Sequence, residues 1–490
     1  MAGLVLVVVG AGLGPGPLLS GRAAAGDTTS TLTDPTQLVA EGESWPGPMV
    51  SKLQSDGESA ISPLNPAYLT PGVSSSTSQG GEDGARQDFA AGLTDYAVTE
   101  APLSSAEATT ATQNGIAPGY VPYAAGAIAI GIAVKTSQGF VQSLHLTVPT
   151  LCKIFTGGIT AWNDPEILAE NPGSTIGQAQ TPSITRVVRR DSSSTTGALI
   201  NLFLSDPTAR SCWNGYATNR GAPADTAIDE WPADNSANVR GLTGGSQLVM
   251  DTLLALDPTT QKPIAGTPLE DYIGYVAPAW ISQFSGPPVA AIQNKFGAFV
   301  LPTQTAVAAA VQDGGTFSST TNIVALDPSR MTAAADYPLV LVSYLLVPLT
   351  GLPATKAAPL AAFVRFVLGA TGQADVASTG YDPAPSAWIT AGGTLASSIV
   401  ATTTTTTSTS STSSSTSSST TSSTAVSTTS SAATGGSVQA ASTGGSSGVT
   451  GDPAASLAQT GAAPLLTLIA GVFLIVFGQV SGRTTRRGRP

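Results

Sequence analysis

Histidine is almost missing from this 490-residue chain. His145 is the single one, and Cys152 and Cys212 are the only cysteines. Most zinc centres and most His-assisted nucleophiles need more of both, which excludes the commonest metal and catalytic constellations. No general base stands paired with a nucleophile, so the sequence reads as a non-enzyme with no catalytic residue, no metal and no cofactor. Charge is scarce too: 10% of residues carry it, with a formal net charge of −11. A chain so poor in Lys and Arg offers no basic face for nucleic acid. A small anion stays within reach, because local dipoles and one or two arginines can outweigh a distant negative field. His145, flanked by Leu144 and Leu146, reads as structural.

What the chain does have is one segment suited to an oxyanion. Residues 184–196 read ITRVVRRDSSSTT, and an apolar run follows from Ala198 to Leu204. A β-branched stretch, an arginine and a string of hydroxyls would open a helix whose first N–H groups point outward, reinforced by the helix dipole. Ser193, Ser194, Thr195 and Thr196 add hydroxyl donors, and Arg189 or Arg190 a planar charged fork. An ordinary N-cap with a serine cluster gives the same pattern. Apolar segments at 127–134 and 339–347 read as buried strands, and 196–204 and 358–368 as helices, which implies an α/β design. The 53 glycines and 35 prolines predict long loops between short elements.

A second segment, Leu151-Cys-Lys-Ile-Phe-Thr-Gly-Gly-Ile-Thr-Ala-Trp-Asn-Asp-Pro165, leads on to Asn171-Pro172-Gly173. An IFxGxIxxWNDPxI…NPG run followed by IxxVxRxDSSxTT resembles the PstS-type phosphate-binding proteins of bacterial ABC importers. The segments 43–48 (ESWPGP), 89–96, 100–104, 273–276, 337–347 and 372–381 fall in the family's order, so the likeness spans roughly residues 40 to 395. It implies the two-lobed periplasmic-binding-protein fold (type II) over 26–396. Lobe I would be about 27–120 and 275–395, and lobe II about 121–274, with inorganic phosphate or a related oxyanion in the cleft.

Carried over position by position, the resemblance implies Ser44 and Trp45 at the first loop, Arg189 oriented by Asp191, and Ser193, Ser194 and Thr195 at the helix start. Ser194 stands where the family has a glycine that lets backbone approach the phosphate. A further serine before the first-lobe helix would lie within Ser74 to Ser78, taken as Ser76. Glu100 replaces the family's aspartate, whose carboxylate accepts the proton of hydrogen phosphate; a solvated carboxylate in a degenerate site is the alternative. Cys152 and Cys212 would form a disulfide in an exported protein, closing a loop of about 60 residues worth roughly 4 kcal/mol. Two buried free thiols are the other possibility.

Both ends read as export and anchoring signals. Residues 1–25 hold an apolar stretch and an Ala-Ala-Ala cleavage site, as in a secretory signal, although no Lys or Arg precedes the stretch, which favours a start upstream. Residues 397–456 are almost all Thr, Ser, Gly and Ala, a stalk that cannot bury a core and is open to O-glycosylation. Then come Leu457-Ala-Gln-Thr-Gly461, an apolar run to Val480 and an Arg-rich end at 490. LAxTG before a span and a basic tail (462–490) resembles the sorting signal of actinobacterial sortases, which implies cleavage between Thr460 and Gly461 and transfer to peptidoglycan. The expected function is a cell-surface solute-binding protein, anchored to wall or membrane, with an ABC permease as partner. A wall-anchored adhesive or structural protein that reuses the fold without phosphate is the competing expectation.

Overall fold

The computed structural model describes residues 37–61, 65–69, 81–254, 271–283 and 288–401. The expected signal, Ser76, nearly all of the stalk, the pentapeptide with Thr460 and Gly461, and the C-terminal apolar run lie outside the described residues.

Two lobes of mixed α/β structure each carry their own sheet. The first sheet has six strands, in the order Asp382–Pro383, Pro118–Ala127, Val340–Pro348, Tyr96–Thr99, Gln37–Gly42, Asn65–Leu69. Its Gln37–Gly42 strand pairs parallel with both neighbours, whereas Val340–Pro348 runs antiparallel to both of its own. All nine residues of Val340–Pro348 are buried, as a near-continuous apolar run flanked by helices requires. The second lobe holds the order Val239–Leu242, Thr185–Arg189, Tyr272–Val276, Ala129–Ala133. Beside it lies a three-stranded sheet, Phe299–Val300, Ala290–Gln293, Leu144–Leu146.

The crossings between lobes differ from the sequence expectation. The segment 127–134 is two strands in two sheets, not one. Pro118–Ala127 pairs along Val340–Pro348, and the chain turns at Ile128, whose N–H donates to Leu339 O at 2.9 Å while its carbonyl accepts from Tyr337 at 2.7 Å. The first crossing therefore falls at 128 rather than at 120–121. The return falls after residue 300 rather than at 274–275, because Ala290–Gln293 still pairs with Leu144–Leu146.

The hydroxyl string does open a helix, Ser194–Ser205, and the second expected helix runs Ala354–Leu368. Cys152, on helix Val148–Thr156, is bonded to Cys212, on helix Pro207–Thr218, with Cα atoms 6.4 Å apart. The bridge ties these two helices together, and the second of them packs on Ser194–Ser205. His145 stacks on Phe299 with ring centroids 4.6 Å apart, a packing role.

Candidate functional site

The strand Thr185–Arg189 ends at the mouth of the cleft, and successive side chains there point to opposite faces. Arg189 turns inward and is 1% exposed. Arg190 turns outward, 3.7 Å from Glu230. Asp191 grips the Arg189 guanidinium at two points, Nε to Oδ1 and Nη2 to Oδ2, both 2.6 Å. Backbone N–H of Arg189 donates to the Tyr275 hydroxyl, which also meets Thr196 Oγ1 at 2.8 Å. The remaining arm, Nη1, reaches across to the first lobe and donates to Glu43 Oε1 at 3.0 Å.

Glu43 is fully buried and sits at the centre of the first loop. Its Oε1 accepts from Ser44 N–H at 3.0 Å, the Ser44 hydroxyl at 3.0 Å, Trp45 N–H at 3.2 Å and Arg189. Four donors converging on one oxygen form an oxyanion cradle, and here a carboxylate of the chain itself takes it. The loop is held from several sides. Trp45 donates from Nε1 to Ala127 O and meets the Tyr381 ring edge-on at 5.0 Å; Trp280 donates to Ser44 O. Ser246 N–H donates to Ser44 Oγ at 2.8 Å, a second bond between lobes. Gly245 permits that approach: its φ is +71°, and a Cβ there would lie 2.7 Å from Ser44 Oγ.

A second carboxylate fills the helix end. Helix Glu82–Ala91 begins at a glycine, Gly81, and places Glu82 against the other lobe. Glu82 Oε2 accepts from Ser194 N–H at 2.8 Å, the first-turn donor that the sequence assigned to a ligand. Its Oε1 accepts from the Thr99 hydroxyl, Glu100 N–H and Ala101 N–H, with Arg86 Nη1 at 3.2 Å. Arg86 also pairs with Asp83 and Glu107. Glu100 lies beside these groups, 9% exposed, its Oε1 accepting from the Ser343 hydroxyl at 2.6 Å.

Burial acts on all three carboxyls, but neighbours decide the outcome. Burial, then Glu82 and Glu43, push Glu100 well above the usual carboxylate range. Burial also raises Glu43, although Arg189 opposes it. For Glu82, burial is outweighed by Arg86 and by the donations from Ser194, Thr99 and Glu100, which hold it low. Burial and Asp88 lift nearby Glu41 from 4.5 to about 8. Groups raised on folding contribute stability that is present below their unfolded value and lost as pH climbs through the folded one. Glu82, lowered, titrates below this window. Denaturant melts should therefore show stability falling steadily from about pH 4.5 to about pH 8; a rise over that range would mean that Glu41, Glu43 and Glu100 ionise freely in the fold.

The structure thus gathers Ser44, Trp45, Arg189 and Asp191 around Glu43, and Ser194 and Glu100 around Glu82. Two expected ligands take other work. Ser193 is the N-cap, its Oγ accepting from Thr195 N–H at 3.2 Å and lying 2.6 Å from Thr195 Oγ1, a contact that uses one of the two hydroxyl protons. Position 194 points its backbone donor inward, at Glu82. Sequence reasoning missed Glu43 and Glu82. Glu43 opens the ESWPGP segment and Glu82 lies in Gly80-Gly-Glu-Asp-Gly84, and each stands beside a glycine at the start of a helix or loop.

Known proteins resemble this chain along most of its described length. The sequence model of the PBP superfamily domain matches residues 28–371. Phosphate-binding protein PstS2 of Mycobacterium bovis is 27% identical over 350 residues, covering 69% of this chain and 84% of that protein. Phosphate-binding protein PstS3 of the same organism is 26% identical over 319 residues, covering 64% and 76%. Among solved structures, the phosphate-binding protein of Stenotrophomonas maltophilia superposes with a TM-score of 0.52 at 18% identity, over 73% of this chain and 93% of that one. That likeness concerns the fold.

Proposed function

We propose, for a chain that belongs to the PBP superfamily, that it is an exported solute-binding protein whose cleft takes phosphate in place of the Glu43 carboxylate. The observation that carries this reading is the set of four donors converging on Glu43 Oε1 from both lobes. An oxyanion of the same charge type fits those donors, while Ser194 N–H stays with Glu82. The mycobacterial relatives, named as phosphate-binding proteins, support the choice of anion. Glu43 then acts as a built-in competitor that phosphate has to displace.

Glu100 alters the selectivity. A carboxyl held neutral by burial donates a hydrogen bond rather than accepting the ligand's proton. Arsenate, of the same shape and protonation, should displace radiolabelled phosphate at comparable concentration. Sulfate, which a proton-accepting carboxylate would repel, should compete increasingly as pH falls. Sulfate competition that is absent at every pH would mean that Glu100 works as an ionised acceptor.

A specific observation also favours a second reading. Glu43–Arg189 and Glu82–Ser194 already join the lobes without a ligand, as a purely adhesive or structural protein would need. No saturable phosphate binding at any pH would select it.

The surface location extends the proposal. The LAQTG pentapeptide, the following apolar run and the terminal arginines support retention at the membrane and transfer by sortase to peptidoglycan through Thr460. The Thr/Ser stalk would carry the lobes clear of the wall, and an ABC permease would receive the phosphate. Thr460→Ala should leave ligand binding unchanged and move the protein from the wall fraction to the membrane fraction. Wild-type protein that extracts fully with detergent and keeps Pro490 by mass spectrometry would refute wall attachment.

A further inference from the structure

Glu43, Glu82 and Glu100 come together at the floor of the cleft from three separate stretches of chain. Each offers a carboxylate oxygen, and these oxygens lie within 4.8 Å of one another, all buried. Hydrogen bonds hold the carboxylates in place. Glu43 is fixed by the first loop and Arg189, Glu82 by Thr99 and two backbone N–H groups, and Glu100 by Ser343. The second oxygen of Glu100, Oε2, is buried, in a residue only 9% exposed, and has no hydrogen-bond partner among the described residues. An orphaned carboxylate oxygen inside an acidic cluster is costly unless something supplies positive charge or a proton.

The charge balance points the same way. Two guanidinium groups serve this region. Arg189 pairs with Glu43 and Asp191, and Arg86 with Glu82, Asp83 and Glu107. Glu100 has neither arginine among its hydrogen-bond partners. The carboxylates outnumber the arginines threefold, in a place where a dianionic ligand alone would deepen the excess.

We propose that Glu43, Glu82 and Glu100 form a binding site for one divalent, oxygen-seeking cation of the calcium class. Three oxygens so spaced leave a central point within about 2.8 Å of each, close to the roughly 2.3 to 2.6 Å of calcium–oxygen bonds and looser than magnesium favours. The donor set is all carboxylate oxygen, which suits calcium or manganese and not the softer metals. Carboxylates accept about four hydrogen bonds or metal contacts each, so Glu82 Oε2, with one donor, and the orphaned Glu100 Oε2 keep capacity for an ion. A cavity of about 150 Å³ borders Glu100 between helix Ser194–Ser205 and strand Val340–Pro348, giving space beside the cluster. This site shares Glu43 and Glu100 with the phosphate reading: the ion needs Glu43 in place and Glu100 ionised, whereas phosphate displaces Glu43, so the two ligands exclude each other and are titrated separately.

The test uses the full chain, stripped with chelator and held in phosphate-free buffer. Calcium chloride is titrated by calorimetry, and manganese binding is followed by its electron paramagnetic resonance. Uptake of one ion per chain is expected, together with a Tm raised by several degrees. Glu100→Gln, which keeps an acceptor for Ser343, should weaken ion binding at least a hundredfold. Its melting temperature in chelator should equal or exceed that of the wild type, which separates lost binding from misfolding. Glu166→Gln, at an exposed pair with Lys153, should bind as the wild type does. No saturable uptake by the wild type, or equal uptake by wild type and Glu100→Gln, would overturn the proposal. Phosphate titrated separately keeps the two readings distinct: phosphate uptake with no cation uptake leaves the proposed function standing and this site refuted.

Discussion

Arg189→Ala is expected to lower folding stability by about 3 to 5 kcal/mol, the usual cost of removing one partner from a buried ionic network. The guanidinium is 1% exposed and answers two carboxylates, Glu43 and Asp191, one from each lobe. Without it, both acids stay buried with their main cation gone. Urea unfolding of the exported protein measures this directly. Arg189→Lys should recover little of the loss, because an ammonium cannot reproduce the two-point grip on Asp191 while also reaching Glu43. A loss below about 1 kcal/mol would mean that water or relaxation already screens the network. The position is thus structural before it is ligand-binding, which makes Arg189 variants a poor guide to affinity.

Glu43→Ala should do the opposite to ligand binding. In chelator-treated buffer, phosphate affinity is expected to rise on the order of a hundredfold, about 2.8 kcal/mol, because the ligand no longer has to displace a carboxylate from four donors. Ser44 N–H, Ser44 Oγ, Trp45 N–H and Arg189 Nη1 would be left aimed at one vacated point. Arg189 keeps Asp191 and so stays oriented. Intrinsic tryptophan fluorescence, to which Trp45 contributes beside Tyr381 and the loop, offers a second readout of the same titration. Unchanged affinity would show that Glu43 leaves the cradle at no cost.

Much of this was legible in the sequence because it depended on local chemistry. Arg189 followed by Asp191 and a serine string specified a strand, a charged fork and a helix start, and the structure has each of them. Cys152 and Cys212 were the only candidates for a bridge, and they form it. The lobe boundaries came from the resemblance, and apolar content alone cannot say which sheet a strand joins. Residues 127–134 read as one buried strand, yet the turn at Ile128 depends on hydrogen bonds to Leu339 and Tyr337, some 200 residues away in the chain. Glu43 and Glu82 escaped for a related reason. A glutamate beside a glycine reads as a solvated loop residue until folding brings it under an arginine or a helix N-terminus from the other lobe. Ser193 and Thr195 also serve as the helix cap, since capping and ligand binding call for the same hydroxyls at the same positions.

The central claim is that the cleft takes phosphate where the Glu43 carboxylate now sits. Calorimetric titration of phosphate into wild type and Glu43→Ala, side by side in the same chelator-treated buffer, tests it most directly. The account predicts saturable one-to-one binding by both proteins, with the variant tighter by about two orders of magnitude. Absence of binding heat from both, with both proteins folded by circular dichroism, would contradict it and leave a cleft closed by its own carboxylates.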